Sequence, residues 1–408
     1  MNDLFDQIKE HGQGHVLQYF AELSSAEQTL FLDQLKTIDL PQLEELYAHH
    51  KKPPKTGGQN FQPVLSVRKS ALAPAELSKA VQAGEDLLRQ GKVGLVLVAG
   101  GQGTRLGFPG PKGCFELLPG KTLFQLFADQ VAQLNQRYGI TIPWYIMTSD
   151  ATDQETRDYF VREKYLGLPK GSVHFFLQDM LPSLDLNGKL ILDAKGHLAS
   201  NPNGHGGTLL ALRNSGALIK IQQACIEQLF YFQVDNVLTK IADPLFLGLH
   251  TLASADMSTK IVRKVDPEER VGVVGYVNDV LGVIEYSELP SAQASQKNAD
   301  GSLVFNAANT AIHILRTDFV GKLTAKNFQL PYHVAVKKIP CLAPLGNLLQ
   351  PAQPNGLKFE TFIFDALAQA KNSVTLEVER NEEFAPVKNA TGPDSPESAR
   401  ALLKKTPS

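Results

Sequence analysis

Cysteine is scarce in this chain. Its 408 residues include three, Cys114, Cys225 and Cys341, odd in number and widely spaced. With no CxxC pair, a disulfide framework and a zinc ribbon are excluded, and a reducing cytoplasmic setting fits. Long apolar runs are missing too: nothing approaches the ~18 residues that a membrane-spanning helix needs. The opening stretch "MNDLFDQIKEHGQGH" is charged and lacks an apolar centre, so no signal peptide is expected. The "NAT" sequon at Asn389 is accordingly expected to stay unmodified. Nor is there an excess of charge of one sign, with Lys plus Arg at 40 against Asp plus Glu at 42. Without a basic field, neither nucleic acid nor a membrane surface is an expected partner. Small molecules are, and a monomer is the working expectation. Internal repeats and low-complexity tracts are also lacking. Hydrophobic residues make up 43%, enough over this length to bury two or three cores.

What is present is a change of pattern along the chain. In "HVLQYFAELSSAEQTLFLDQL" apolar residues recur at three- and four-residue steps, and Ser24-Ser25 before Ala26-Glu27 reads as a cap between two helices. "KKPPKTGGQNFQP" (51–63) reads as a linker or extended crossing. A helix is expected over about 74–90. From residue 93, strands and helices alternate. "VGLVLVAG", "TIPWYIMTS", "VHFFLQ" and "QLFYFQVDN" read as strands, and "TLFQLFADQVAQL" and "DATDQETRDYFVREKY" as helices, the latter with an Asp cap. This alternation predicts an α/β fold with a mostly parallel sheet and helices on both faces. "MSTKIVRKV", "VGVVGYVN" and "VLGVIEYS" add further sheet. The expected organisation is an N-terminal helical region with linker at 1–62, a catalytic domain at 63–388, and a short polar tail with one helix at 389–408.

The segment "VLVAGGQGTRLGFPGPKG" (96–113) is the richest in chemistry. Glycines 100, 101, 103 and 107 free the backbone to approach a ligand and to direct successive N–H groups into one concavity, a nest for anions. Arg105 and Lys112 add two cations, one a planar fork and the other a point charge. Pro111 helps to aim Lys112. Two familiar phosphate loops fail on spacing. The Walker A pattern would need glycine where "FELLPGKT" has Phe115. The dinucleotide pattern would need glycine where Leu106 stands. ATPase and dinucleotide-dependent oxidoreductase readings are thereby disfavoured. A polyphosphate cradle remains, against the plainer reading of a bare strand-to-helix connection.

Asp235 ends the apolar strand "LFYFQVDN", where ligands bind in open α/β sheets. Mg²⁺ takes one or two carboxylates together with phosphate oxygens and water, so Asp235 is the metal candidate. The alternative is a cap for the next helix, a role that Asp243 before Pro244 suits better.

These residues resemble a known family. "LVLVAGGQGTRLGFPGPKG" is similar to the nucleotide loop of eukaryotic-type UDP-sugar pyrophosphorylases, above all those specific for UDP-N-acetylglucosamine. "IPWYIMTS", "FFLQDMLPSL", "VDNVLTKIADP", "VGVVGYV", "VIEYSEL", "FNAANTAIH", "HVAVKKIP", "PNGLKFETFIFD" and "EFAPVKNA" follow in that family's order. The resemblance covers roughly residues 10 to 405. The family's eukaryotic members continue into a larger C-terminal domain, which is expected to be missing here.

The resemblance implies a Rossmann-like nucleotide-diphospho-sugar transferase fold and the reaction of UTP with a sugar 1-phosphate to give a UDP-sugar and pyrophosphate, with Mg²⁺. The attacking phosphate is already largely ionised at neutral pH, its second pKa lying near ~6. No strong general base is then required; positioning and charge neutralisation are. By resemblance Ala99, Gly100, Gly101, Gly103 and Lys112 hold the triphosphate, with Arg105 and Lys112 on the leaving pyrophosphate. Asp235 carries the metal and contacts UTP. Gln178 reads the uracil edge, as an amide that both donates and accepts can, and Gly204 lets the base lie against backbone. Gly272, Glu285, Tyr286 and Asn309 bind the sugar. Lys358 reaches the nucleotide phosphates and Lys388 the sugar phosphate, both as catalytic cations, with Lys337 and Lys338 a further candidate pair. Phe362 and Phe364 form an apolar pocket for an N-acetyl methyl, although an aromatic pair at that spacing is also ordinary core. His205 departs from the family's asparagine and resembles the "GHG" of enzymes acting on glucose. The leading expectation is N-acetylglucosamine 1-phosphate as acceptor. The alternatives are glucose or galactose 1-phosphate, or a nucleotide-binding regulator without catalysis.

Overall fold

The computed structural model describes residues 2–52, 59–325, 330–343 and 345–405. Contact density divides the chain into two compact units. The larger comprises 59–178, 208–329 and 363–408; the smaller comprises 1–58, 179–207 and 330–362. These units are discontinuous, whereas the ranges 1–62, 63–388 and 389–408 follow the chain. Much of the linker expected at 51–63 falls on 53–58, outside the described residues.

The larger unit is built on one eleven-stranded sheet. Its strands are β1 (Phe61–Pro63), β2 (Val67–Arg68), β3 (Val93–Val98), β4 (Trp144–Thr148), β5 (Val173–Leu177) and β6 (Gln228–Gln233). They continue with β7 (Met257–Arg263), β8 (Val273–Val277), β9 (Val280–Ile284), β10 (Ala307–Arg316) and β11 (Thr375–Val378). The main path runs β2-β11-β7-β10-β6-β3-β4-β5, with β1, β8 and β9 attached through β8–β10. Every pairing on this path is parallel except the two made by β10, so the predicted mostly parallel sheet is present. All five residues of β4 are buried. Successive side chains of a strand point to opposite faces, so both faces of the sheet are covered here. Phe124, Phe127, Trp144, Phe160, Phe230, Phe232 and Phe246 fill the core. Pro63 sits in β1, which pairs with β8 alone, and an edge strand tolerates the missing N–H.

Most expected helices form: Pro74–Arg89, Leu123–Tyr138, Asp153–Arg162 and, in the tail, Pro396–Leu403. The Asp cap assigned to "DATDQETRDYFVREKY" is corrected. Thr152 occupies the cap position without a side-chain cap bond. Asp153, one residue inside, instead accepts from Thr148 Oγ1 at 2.6 Å and from Arg157 Nε at 2.7 Å, tying the helix to the end of β4. Asp243 does cap the helix Pro244–Leu252, accepting from Leu245 N. That helix crosses Pro74–Arg89 at two glycines. A Cβ at Gly84 would strike the Pro244 carbonyl, and one at Gly248 the Ala80 carbonyl, so the two backbones touch only because neither residue has a side chain.

In the smaller unit, helices Asn2–Glu10, Ser25–Lys36 and Leu40–Lys51 share a core with Leu184, Leu190, Leu198, Leu357 and Phe359. The Ser24 cap is a full capping box with Glu27. Strands Tyr332–Lys337, Gly356–Thr361 and Leu184–Asp185 pair antiparallel in that order. Two glutamines pin the distant segments together by imitating backbone. Gln13 donates to Gly188 O and accepts from Leu190 N, both at 2.9 Å. Gln34 donates to Leu198 O at 3.0 Å and accepts from Leu198 N at 2.9 Å. Segments 179–207 and 330–362 therefore belong with the N-terminal helices.

Candidate active site

In the larger unit, the parallel order β6-β3-β4-β5 brings four strand C-termini to one edge. Val98 is in register with both Met147 and Gln233, and Thr148 with Leu177. The residues that follow are Ala99 after β3, Ser149 after β4 and Gln178 after β5; β6 ends at Gln233, so Asp235, read as ending that strand, lies two residues past it in a turn. Four segments far apart in sequence thus end together, where open α/β sheets bind ligands.

The glycine loop closes on itself there. Lys112 N donates to Gly101 O at 2.9 Å, and Gly103 N to Gly110 O at 2.8 Å. Ala99 is buried and donates to Met147 O, which continues β3 along β4. Gly107 lies at φ +70°, ending the turn Thr104–Leu106. The glycines divide by role. A Cβ at Gly103 would come within 2.8 Å of the Phe108 ring, and one at Gly113 would strike the Phe124 ring; these two serve packing. A Cβ at Gly101 would meet nothing within 4 Å. Gly100 faces its neighbours closely: a Cβ there would lie 3.2 Å from Gln178 Oε1 and 3.3 Å from the Ser149 Cβ. Ser149 Oγ donates to Gly100 O at 2.8 Å and fixes the start of the loop. Ser149 carries no sequence signal of its own; only its place after β4 marks it. Gln178 is buried, its N bonded to Thr148 O at 2.9 Å.

Lys112, partly buried, is where the charges converge. Burial holds its ammonium below the usual lysine range, Asp235 pulls the other way, and Arg105 and Lys388 add to the lowering. These four side chains, drawn from residues 105 to 388, therefore share one electrostatic neighbourhood. The tail segment reaches it by pairing with the turn after β6, where Val387 N donates to Asp235 O at 2.9 Å and Asn236 bridges to Pro386. Three cations beside one carboxylate suit a polyanion that also carries a cation.

A second group from the prediction gathers elsewhere in the same unit. Asn309 N donates to Gly272 O at 2.9 Å, and a Cβ at Gly272 would lie 3.3 Å from Glu285 Oε1. Asn309 Oδ1 accepts from Ala311 N at 3.1 Å, beside a bulge between β7 and β10. Tyr286 is 50% exposed and Phe364 6% exposed.

Gly204, His205, Phe362 and Lys358 lie in the smaller unit. Phe362 and Phe364 thus fall in different units. Gly204 has φ +83°, and a Cβ there would strike Thr361 O, so the chain's own packing already requires glycine. The His205 ring stacks on Phe362 at 5.2 Å, and His333 stacks on Phe362 at 4.4 Å. Lys358 is in register with Ala335 and so shares a strand face with Lys337, two residues on. Lys337, Lys338 and Lys358 line a hollow of about 300 Å³ with Asp193, Ser200 and Asn201. The further candidate pair thus stands beside Lys358. Among the described residues no group of three or more His, Cys, Asp or Glu side chains could hold a metal by itself. No helix among them is long and apolar enough to cross a membrane.

Comparison with known proteins bears on this geometry. Residues 45–395 match the family model for UTP–glucose-1-phosphate uridylyltransferase. The chain is 39% identical over 97% of its length to UDP-N-acetylhexosamine pyrophosphorylase-like protein 1 of Xenopus tropicalis, covering 82% of that protein. It is 35% identical to the UDP-N-acetylglucosamine pyrophosphorylase of Saccharomyces cerevisiae, over 99% of this chain and 90% of that one. Among solved structures, the uridine diphosphate N-acetylglucosamine pyrophosphorylase of Trypanosoma brucei, in complex with inhibitor, superposes with a TM-score of 0.81 at 28% identity. That match covers 98% of this chain and 84% of the other. With the mostly parallel sheet, the glycine loop at its C-terminal edge and these relatives, the chain belongs to the UTP–glucose-1-phosphate uridylyltransferase family of UDP-sugar pyrophosphorylases.

Proposed function

We propose that the chain is a uridylyltransferase that joins UTP and N-acetyl-α-D-glucosamine 1-phosphate into UDP-N-acetylglucosamine and pyrophosphate. The observation that carries this reading is the meeting of Lys112, Arg105, Lys388 and Asp235 beside the glycine loop. A phosphate oxygen of the sugar 1-phosphate forms a bond to the α-phosphorus of UTP, the bond to the β-phosphate oxygen breaks, and pyrophosphate leaves with the electron pair. No proton has to be removed from the nucleophile, in keeping with a site made of cations. Arg105 and Lys112 neutralise the leaving pyrophosphate, and Lys388 draws the incoming phosphate into line. Gln178 reads the base. Glu285, Asn309 and the Gly272 backbone hold sugar hydroxyls. The roles of Lys358, Gly204, His205 and Phe362 rest on the family's motifs.

Asp235 would hold Mg²⁺. It is a half-buried carboxylate just past the strand end, beside Lys112. One carboxylate suits an ion that completes its shell with phosphate oxygens and water. When bound, the ion would neutralise phosphate charge. We place the protein in the cytoplasm, as a monomer acting on small molecules. The three cysteines, all free, fit a reducing compartment.

The test is pyrophosphate release from UTP with a panel of sugar 1-phosphates, with and without Mg²⁺, for the parent and Asp235→Ala. Release with N-acetylglucosamine 1-phosphate above the other sugars, lost in Asp235→Ala, is expected. Tight UTP binding without release for any sugar would replace the enzyme by a binding protein. His205 favours a second acceptor, glucose 1-phosphate, because it resembles the "GHG" of enzymes acting on glucose at a place where the family's N-acetylglucosamine enzymes carry asparagine; its ring stacks on Phe362. His205→Asn is expected to move preference further towards the N-acetylated sugar; an unchanged profile removes His205 as selector.

A further inference from the structure

Lys260, on β7, is fully buried at 0% exposure. Its ammonium donates to Asp243 Oδ2 at 2.7 Å and to Glu383 Oε2 at 2.6 Å. A charge this deep persists only when paired, and losing one partner leaves the rest uncompensated. The pair therefore fixes Glu383 in place. From Glu383 the chain runs directly to the site. Asn236 Nδ2 donates to Glu383 O at 2.8 Å, and Ala385 N donates to Asn236 Oδ1 at 2.9 Å. Val387 N then donates to Asp235 O at 2.9 Å, and Lys388 follows. Asn236 is itself 3% exposed, and Thr239 Oγ1 donates to its carbonyl at 2.9 Å. The amide acts as a strand residue would, giving one bond to the tail segment and taking one from it. Aspartate has the same shape but could only accept, which would set two buried oxygens against each other at Glu383 O.

We propose that Asn236 is a positioning residue for uridylyl transfer, locking the Asp235 turn to the segment that carries Lys388, with the Lys260–Glu383 ion pair as its anchor. The inference rests on the reading above in which Asp235 and Lys388 serve the phosphates. Asn236 needs to touch no substrate. It sets the separation of two groups that do, and a misplacement of about 1 Å can cost about 100-fold in rate.

Asn236→Asp tests this. The expected result is a fall in kcat of about 10- to 100-fold and a raised KM for the sugar 1-phosphate. UTP affinity by equilibrium dialysis should stay within about threefold, since the glycine loop and Lys112 are untouched. In a double-mutant cycle, Asn236→Asp should cost less than about threefold once Lys388→Met is present, because the misplaced group is already gone. Asp243→Asn is the control for lost stability: it removes the negative charge of a Lys260 partner, keeps an acceptor for the helix cap and leaves the Asn236 bonds, so it should lower the urea midpoint without raising KM. Where Asn236→Asp does not fold, Asn236→Ser, whose hydroxyl can replace one of the two bonds, enters the same cycle. Parent-like kinetics for Asn236→Asp, full additivity with Lys388→Met, or the same KM rise in Asp243→Asn would overturn the inference. If Asp235→Ala and Lys388→Met both turn over like the parent, the reading of the site fails first, and the inference falls with it.

Discussion

Among single residues, Lys112 carries the most. Its ammonium is held below the usual range by burial and by two neighbouring cations, with Asp235 opposing, a cost that an anionic ligand would offset further. Replacing it with methionine keeps the stem and removes the charge. We expect kcat/KM to fall about 10²–10³-fold, the loss seen when one donor to a developing negative charge is deleted. Steady-state pyrophosphate release measures it, and a loss below tenfold would take Lys112 off the leaving group. The glycines around it are not interchangeable. Gly113 and Gly103 make room for Phe124 and Phe108, whereas Gly101 has open space before it.

At the scale of elements, the crossing of Pro74–Arg89 with Pro244–Leu252 is the tightest contact that glycine permits among the described residues. Gly248→Ala drives a methyl into a carbonyl that cannot rotate away, so a loss of about 2–3 kcal/mol is expected from the urea midpoint. Gly171→Ala, with nothing near its added methyl, should stay within about 0.5 kcal/mol. The same helix carries His250, which shares a hydrogen bond with Ser258 Oγ at 2.7 Å. Burial, with Arg316 nearby and Asp256 opposing, pushes its pKa down to about 3. Below pH 6.5 the unfolded chain takes up a proton that the folded one refuses, so stability falls as pH drops from 6.5 towards 3. Between pH 8 and pH 5 this histidine alone should remove about 2 kcal/mol. His250→Gln should flatten that part of the profile; an unchanged slope would mean that the imidazole is protonated in the fold.

For the whole molecule, the charge balance matters more than the count. A net charge of −2 gives no general pull on phosphates. On the proposed reading, affinity for UTP then depends on the few cations gathered at the sheet edge. UTP at 100 times its Kd should stabilise the protein by about 2.7 kcal/mol, read as a rise in thermal midpoint. That rise should vanish in Lys112→Met. A shift of equal size in the variant would place the nucleotide elsewhere.

Much of this was legible in the sequence, and for physical reasons. A strand buried on both faces must be apolar throughout, so "VGLVLV" and "WYIMT" announce themselves. Glycine and cations together mark a candidate phosphate loop, so 99–113 stands out likewise. Asp235 stood out because it lies just past such a strand. What stayed hidden depends on distance in sequence. Asn236 resembles any asparagine after a strand until Glu383 and Ala385 arrive beside it. Gln13 and Gln34 look like surface residues until their amides are seen holding Gly188, Leu190 and Leu198. Local chemistry is written in neighbouring residues and alone determined the strands and marked the glycine loop as a candidate phosphate cradle, whereas the class of reaction was implied by ordered motifs that resemble a known family. Which distant segments share a core, and which side chains close on one another, was decided only by tertiary structure, because hydrogen bonds and burial act across space while the sequence records order along a line.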